Sequence, residues 1–299
     1  MYTTADPRSN LAASKGGAET GKGFAASEYA RFYATQPDEQ GEGTRTWYAR
    51  GQNFIVAYTD AEPGAVLRRP DQVDEYVALV HDPETPIAVT APGEHLELAG
   101  ASLTIVPPGP STITLPKGGK IVRMITTRAA DLVAKCSNAA AYAEPHPYIP
   151  PFQPWPDPPE GFRVRNYSLD VPDQPGRFGR LWRCTTFMIN VFAPAPPRDP
   201  RQLSPHHHDD FEQCSLAVGG GFMHHLRWPW TTDLYDWRED EHEYCGSPSM
   251  VVIPPRAIHT SAAADETEPN LLVDIFSPPR ADFSKMDGWV LNAAEYPTP

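Results

Sequence analysis

Val251-Val252-Ile253-Pro254-Pro255-Arg256-Ala257-Ile258-His259 joins a β-branched run to a Pro-Pro turn and a return strand. Val and Ile favour a pleated, half-buried backbone. Proline does not continue a central strand, so the chain must turn at Pro254. The same construction stands earlier, at Thr104-Ile105-Val106-Pro107-Pro108-Gly109-Pro110-Ser111-Thr112. Upstream of each lies a second matching run, Glu75-Tyr76-Val77-Ala78-Leu79-Val80 and Glu212-Gln213-Cys214-Ser215-Leu216-Ala217-Val218. Two matches in the same order imply a duplicated β-domain. The interval from Glu212 to Pro254 is longer than that from Glu75 to Pro107, and the excess fits an insertion at residues 228–243, WPWTTDLYDWREDEHE.

Outward from these repeats the chain reads as short β-rich runs punctuated by Gly and Pro: residues 53–59, 75–80, 87–90, 102–106 and 121–126, then 181–193, 212–218, 222–228, 249–253 and 271–276. Such spacing is the all-β pattern. Of 299 residues, 35 are proline, over twice the usual ~5%, which excludes a helical bundle. Residues 129–142, rich in Ala and free of Gly and Pro, predict the one short helix. Residues 144–161 are dense in proline and read as a stiff strap between two modules. The expected organisation is an N-terminal arm at 1–27, a first module at 28–143, the strap at 144–161 and a second module at 162–299.

The net charge is −13, most of it in the second half. An acidic surface repels nucleic-acid phosphates and anionic lipid, and it suits a metal cation. Cys136, Cys184, Cys214 and Cys245 form no CxxC pair, so reduced thiols in a cytoplasmic protein are expected. No apolar run reaches the ~18 residues of a membrane span, and the N-terminus has no apolar segment of signal-peptide type.

Chemistry concentrates in His206-His207-His208-Asp209-Asp210-Phe211-Glu212. In a regular strand, residues of equal parity share one face. His206, His208 and Glu212 would then point together, into a barrel if Leu216 and Val218 also do, with His207 facing away. Two imidazoles and a carboxylate suit a divalent transition metal, and His259 after its Pro-Pro turn can add a fourth donor.

His206-x-His208-x3-Glu212-x6-Gly219 resembles the first sequence motif of the cupin superfamily, and Pro254-x-Arg256-x2-His259 resembles its second, PxGxxH. The resemblance covers about residues 45–290. It implies two jelly-roll β-barrels, a bicupin, with a metal held by three His and one Glu: His206, His208, His259 and Glu212. The sequence departs from the family at Pro200, Arg256 and Ala263, none of them ligand positions. In the first copy Arg69, Asp71 and Thr112 stand where the three histidines would be, so the first barrel is expected to be metal-free.

Four residues are candidates for chemistry around the metal: Glu212, His224, His225 and Arg227. Glu212 can shuttle a proton. One of His224 and His225 should face the barrel interior. Arg227, sharing parity with His225, can bind an anionic substrate with it. The acidic insertion, with Trp228, Trp230 and Trp237, folds over either the barrel mouth or a partner chain. The resemblance implies a dioxygenase acting on a small enol, diketone or phenol, with Fe(II) favoured over Mn, Ni or Zn. The alternatives are a metal-dependent isomerase, lyase or decarboxylase on a sugar acid or small carboxylate, and a non-catalytic ligand-binding bicupin. Exposed barrel edges and the N-terminal arm lead to an expected homodimer.

Overall fold

The structure is a computed structural model that describes residues 23–231 and 233–299. The expected arm at 1–27 falls mostly outside the described residues. The first repeat supplies strands β2 (Glu39–Gly41), β3 (Thr44–Arg50), β4 (Phe54–Ala61), β5 (Ala65–Arg69), β6 (Tyr76–Val80), β7 (Ile87–Ala91), β8 (Glu94–Leu98), β9 (Ser102–Val106), β10 (Ser111–Leu115) and β11 (Gly119–Thr126). The second supplies β13 (Leu181–Arg183), β14 (Met188–Val191), β15 (Gln213–Gly219), β16 (Gly221–Arg227), β17 (Glu241–Gly246), β18 (Ser249–Ile253), β19 (Ile258–Ala263) and β20 (Leu271–Phe276). Two short strands, β1 (Glu28–Arg31) and β12 (Arg165–Ser168), complete the set among the described residues.

These strands build four layers. The large sheet of the first repeat runs β12-β9-β6-β11-β4-β3-β2, and that of the second runs β1-β18-β15-β20-β14-β13. The two large sheets stack on each other through one apolar seam, in which Val77, Leu79, Val122 and Met124 meet Cys214, Leu216, Val252 and Ile275. Outside them lie the small sheets β5-β10-β7-β8 and β17-β16-β19. Each large sheet thus buries one face in the seam and the other inside its own barrel. This explains why its strands read as nearly unbroken apolar runs rather than alternating ones. The fold is all-β, with two jelly-roll barrels of cupin type.

The repeats match strand for strand. Tyr76 pairs with Val106 as Gln213 pairs with Ile253, and both partners immediately precede a Pro-Pro turn. Within those turns Gly109 and Arg256 both adopt positive φ, +101° and +69°. A left-handed residue is required there, which accounts for glycine in the first copy and leaves Arg256 in a conformation that side chains disfavour. The two edge strands are exchanged: β1, from the start of the described chain, adds to the second large sheet through β18, and β12 adds to the first through β9.

The helix expected at 129–142 is broken. A four-residue α1 (Ala130–Val133) is followed by a 3-10 turn at Ala139–Tyr142. Between them Ser137 N–H donates to the Tyr48 carbonyl (2.9 Å), and the Asn138 side chain pairs with both backbone groups of Arg50 (2.9 Å each). Docking on β3 outweighs the local propensity of the alanines.

At the head of β6, Glu75 is fully buried and reaches into the other module. It accepts from the Thr185 backbone N–H (2.9 Å), the Thr185 hydroxyl (2.8 Å) and the Tyr296 hydroxyl (2.7 Å). Removing this acceptor strands three donors in the seam. Glu75→Ala should therefore destabilise the protein by ~3 kcal/mol, read as a lower urea midpoint with an unchanged slope.

Candidate metal centre

His206 and His259 are brought together by backbone. Each donates its N–H to the other's carbonyl, at 3.0 and 2.7 Å, which places their rings 4.4 Å apart between centroids. The His208 ring lies 5.0 Å from His206 and 5.2 Å from His259. One ligand atom from each of the three lies within 4.8 Å of the others, and all three residues are buried. His206 Nδ1 faces the Ser204 carbonyl at 2.9 Å, and His259 Nδ1 faces that of Ala257 at 2.8 Å. A carbonyl only accepts, so both Nδ1 atoms carry the proton, the tautomer in which Nε2 is the acceptor nitrogen. Burial, reinforced by the positive charge of Arg280, holds the His208 pKa well below the usual histidine value. A neutral imidazole is the form a metal requires.

Glu212 is not part of this group. The chain bends at Asp209–Asp210, and β15 begins only at Gln213, so the parity count does not run unbroken from His208 to Glu212. The even positions Cys214, Leu216 and Val218 face the seam rather than the barrel. Glu212 follows them: its Oε2 accepts from the Gln52 backbone N–H (2.7 Å), and its Oε1 lies 3.3 Å from His146 Nδ1 on the strap. It is the counterpart of Glu75, each carboxylate clasping the β-hairpin of the opposite module.

The odd face of β15 lines the barrel, and there Gln213 replaces Glu212. Gln213 Oε1 lies 2.9 Å from His208 Nε2. Its amide NH2 donates to Ser215 Oγ (3.0 Å) and Asp274 Oδ1 (3.2 Å), while Ser215 Oγ donates to the same Asp274 oxygen (2.8 Å). Asp274 accepts only, so it fixes the amide with its oxygen toward the histidines. The alternation of polar Gln213 and Ser215 against apolar Cys214 and Leu216 was the sequence signal for this face.

In the first barrel, Ser111 pairs with Arg69 much as His259 pairs with His206. The inward residue of β10 is therefore Ser111, not Thr112. Gly109 N–H donates to Gln72 as Arg256 N–H donates to His208, so Gln72 rather than Asp71 corresponds to His208. Arg69 bonds Gln72 (2.9 Å) and Asp131 (2.6 and 3.1 Å), and Tyr76 bonds Ser111 (3.0 Å). Arg69 and Ser111 line a pocket of about 380 Å³ in the first barrel.

Around the second barrel, β16 splits the remaining candidates. His224 faces inward, 1% exposed, with Nδ1 2.8 Å from Ser261 Oγ. Burial pushes its pKa down to about 3, and the neighbouring His259 pushes in the same direction. His225 and Arg227 face outward, away from the three histidines. Arg227 grips Asp240 through two nitrogens at 2.5–3.0 Å, and His225 meets His242. The outer face of a two-faced strand cannot contribute to the barrel, so an anion site built from these two beside the metal is not formed. The insertion lies against the N-terminal segment: Arg238 donates to the Phe24 carbonyl (2.7 Å), and Glu241 accepts from the Ser27 and Tyr29 hydroxyls.

No protein-family model matches the sequence, and no curated protein matches it. Solved structures do match in fold. AerE from Microcystis aeruginosa is 9% identical with a TM-score of 0.53, covering 86% of this chain and 99% of AerE. Oxalate decarboxylase from Bacillus subtilis at pH 4.6 is 12% identical with a TM-score of 0.51, covering 86% and 78%. The formate complex of Lactobacillus farciminis oxalate decarboxylase is 16% identical with a TM-score of 0.50, covering 84% and 86%. At such identities the likeness is one of fold, the two-barrel cupin architecture. Among the described residues no helix is long and apolar enough to cross a membrane.

His224 ties the barrel to pH. Its folded pKa of about 3 lies below the ordinary 6.5, so between these values the unfolded chain binds the extra proton. Its contribution to stability is complete above about pH 6.5 and is lost progressively as pH falls toward 3, by at most ~1.4 kcal/mol per pH unit. His224→Gln should flatten the acid limb of the stability curve, measured by urea unfolding at pH 7 and pH 4.5.

Proposed function

We propose that this protein is a metal-dependent oxygenase of cupin type, acting on a small enol, diketone or phenol. The observation that carries the reading is the convergence of three buried imidazoles, His206, His208 and His259, inside one barrel. Neutral nitrogen donors of this kind fit a divalent first-row metal, with Fe(II) first and Mn, Ni or Zn as alternatives. When bound, such a metal polarises substrate oxygens and, if redox-active, passes electrons between substrate and O2.

The chain's own residues do the rest. His206 and His259 are aimed by the carbonyls of Ser204 and Ala257. Gln213 presents a neutral oxygen to His208, with the Asp274 carboxylate behind it holding the amide in that orientation. His224, held neutral beside Ser261, offers a hydrogen-bonding imidazole within the barrel.

A second reading, decarboxylation of a small carboxylate, is favoured by the fold likeness to oxalate decarboxylases. Glu212, bound to Gln52 and His146, serves the module junction in either reading.

The purified chain should hold one tightly bound divalent transition metal by elemental analysis. His206→Ala and His259→Ala should abolish that occupancy, Gln213→Ala should weaken it about tenfold, and Glu212→Ala should leave it. Loss with Glu212→Ala in a folded protein would return the carboxylate to the ligand set. On an oxygen electrode, turnover should stop under strict anaerobiosis. Full-rate anaerobic turnover with CO2 release would replace the oxygenase by the decarboxylase.

A further inference from the structure

His225 and His242 stand directly opposite each other on β16 and β17. Directly opposed residues of an antiparallel pair project from the same face with Cβ atoms ~5 Å apart. Here that face is the outer one, because His224 and Leu226, the neighbours of His225 along the strand, are buried inside the barrel. The two rings lie 4.9 Å apart between centroids at 64°, and their Nδ1 atoms approach to 2.7 Å.

We propose that His225 and His242 form a second transition-metal site, an exchangeable two-imidazole chelate on the outer face of the second barrel. Two imidazole nitrogens bound to one tetrahedral Zn2+ at ~2.0–2.1 Å sit ~3.3 Å apart. The observed Nδ1 pair at 2.7 Å needs to open by about half an ångström. The close approach of the two rings places one N–H against one lone pair, and a cation replaces that shared proton. Both side chains stand on paired strands, so the donors are largely oriented before the ion arrives. The flanking sequence carries Asp233, Asp236, Glu239 and Asp240 against Arg238, with Arg227 paired to Asp240, whereas Glu241 and Glu243 stand opposite Leu226 and His224 on the other face. Such a field draws cations and disfavours anions. Asp240 lies on the same side, its charge offset by Arg227. The site is independent of the barrel centre, since it lies on the opposite face of β16.

The test is calorimetric titration of Ni2+ into the full chain after the barrel equivalent has been filled. A second, weaker event of one ion per chain is expected. His225→Ala and His242→Ala should each weaken it at least tenfold, and leave barrel occupancy by elemental analysis unchanged. In the unmodified protein, Zn2+ added beyond one equivalent should shift the NMR ring signals of His225 and His242 and no other histidines. The proposal is overturned if the wild type shows no second event, if either variant retains it at full strength, or if excess Zn2+ moves other rings instead.

Discussion

The apolar seam between the two large sheets decides the rest of this molecule. Leu216 and Val252 on one side and Leu79 and Met124 on the other are fully buried there, each side chain contributing ~1.5–3 kcal/mol by leaving water. Once the even face of β15 is committed to that seam, the odd face must line the barrel, because successive strand residues point opposite ways. Gln213, Ser215 and, across the sheet, Asp274 then become interior groups. Glu212, one residue away, is directed to the other module.

The same constraint makes the two barrels chemically different although they share a plan. The interior face of β6 carries Tyr76, Ala78 and Val80, and that of β15 carries Gln213, Ser215 and Ala217. Where the second barrel sets imidazoles, the first sets Arg69, bonded to Asp131 and Gln72. Duplication has preserved the frame and the clasping glutamates, Glu75 and Glu212, while the interior positions diverged. A buried acidic clasp at the start of each inner strand is a costly feature, and its presence in both copies ties it to the junction of the modules rather than to a metal.

Strand β16 shows the same division on a smaller scale. His224 and His225 are adjacent in sequence and lie on opposite faces of one sheet, the first neutral and enclosed, the second on an acidic exterior. One dipeptide thereby serves both the barrel interior and the surface cation site.

Much was legible in the chain itself. The Pro-Pro turns, the β-branched runs before them and the repeated order of motifs determined an all-β duplicated fold, because local conformational preference and turn chemistry act without distant partners. His206 and His208 were legible from strand parity and His259 from its place after the Pro-Pro turn, and the cupin resemblance joined them as a set. What only the tertiary structure decided was orientation. The bend at Asp209–Asp210 and the seam settled that Gln213 rather than Glu212 meets His208, and the docking of Asn138 on Arg50 broke the expected helix. These outcomes depend on which face a strand or turn buries, and that is set by surfaces far apart in sequence.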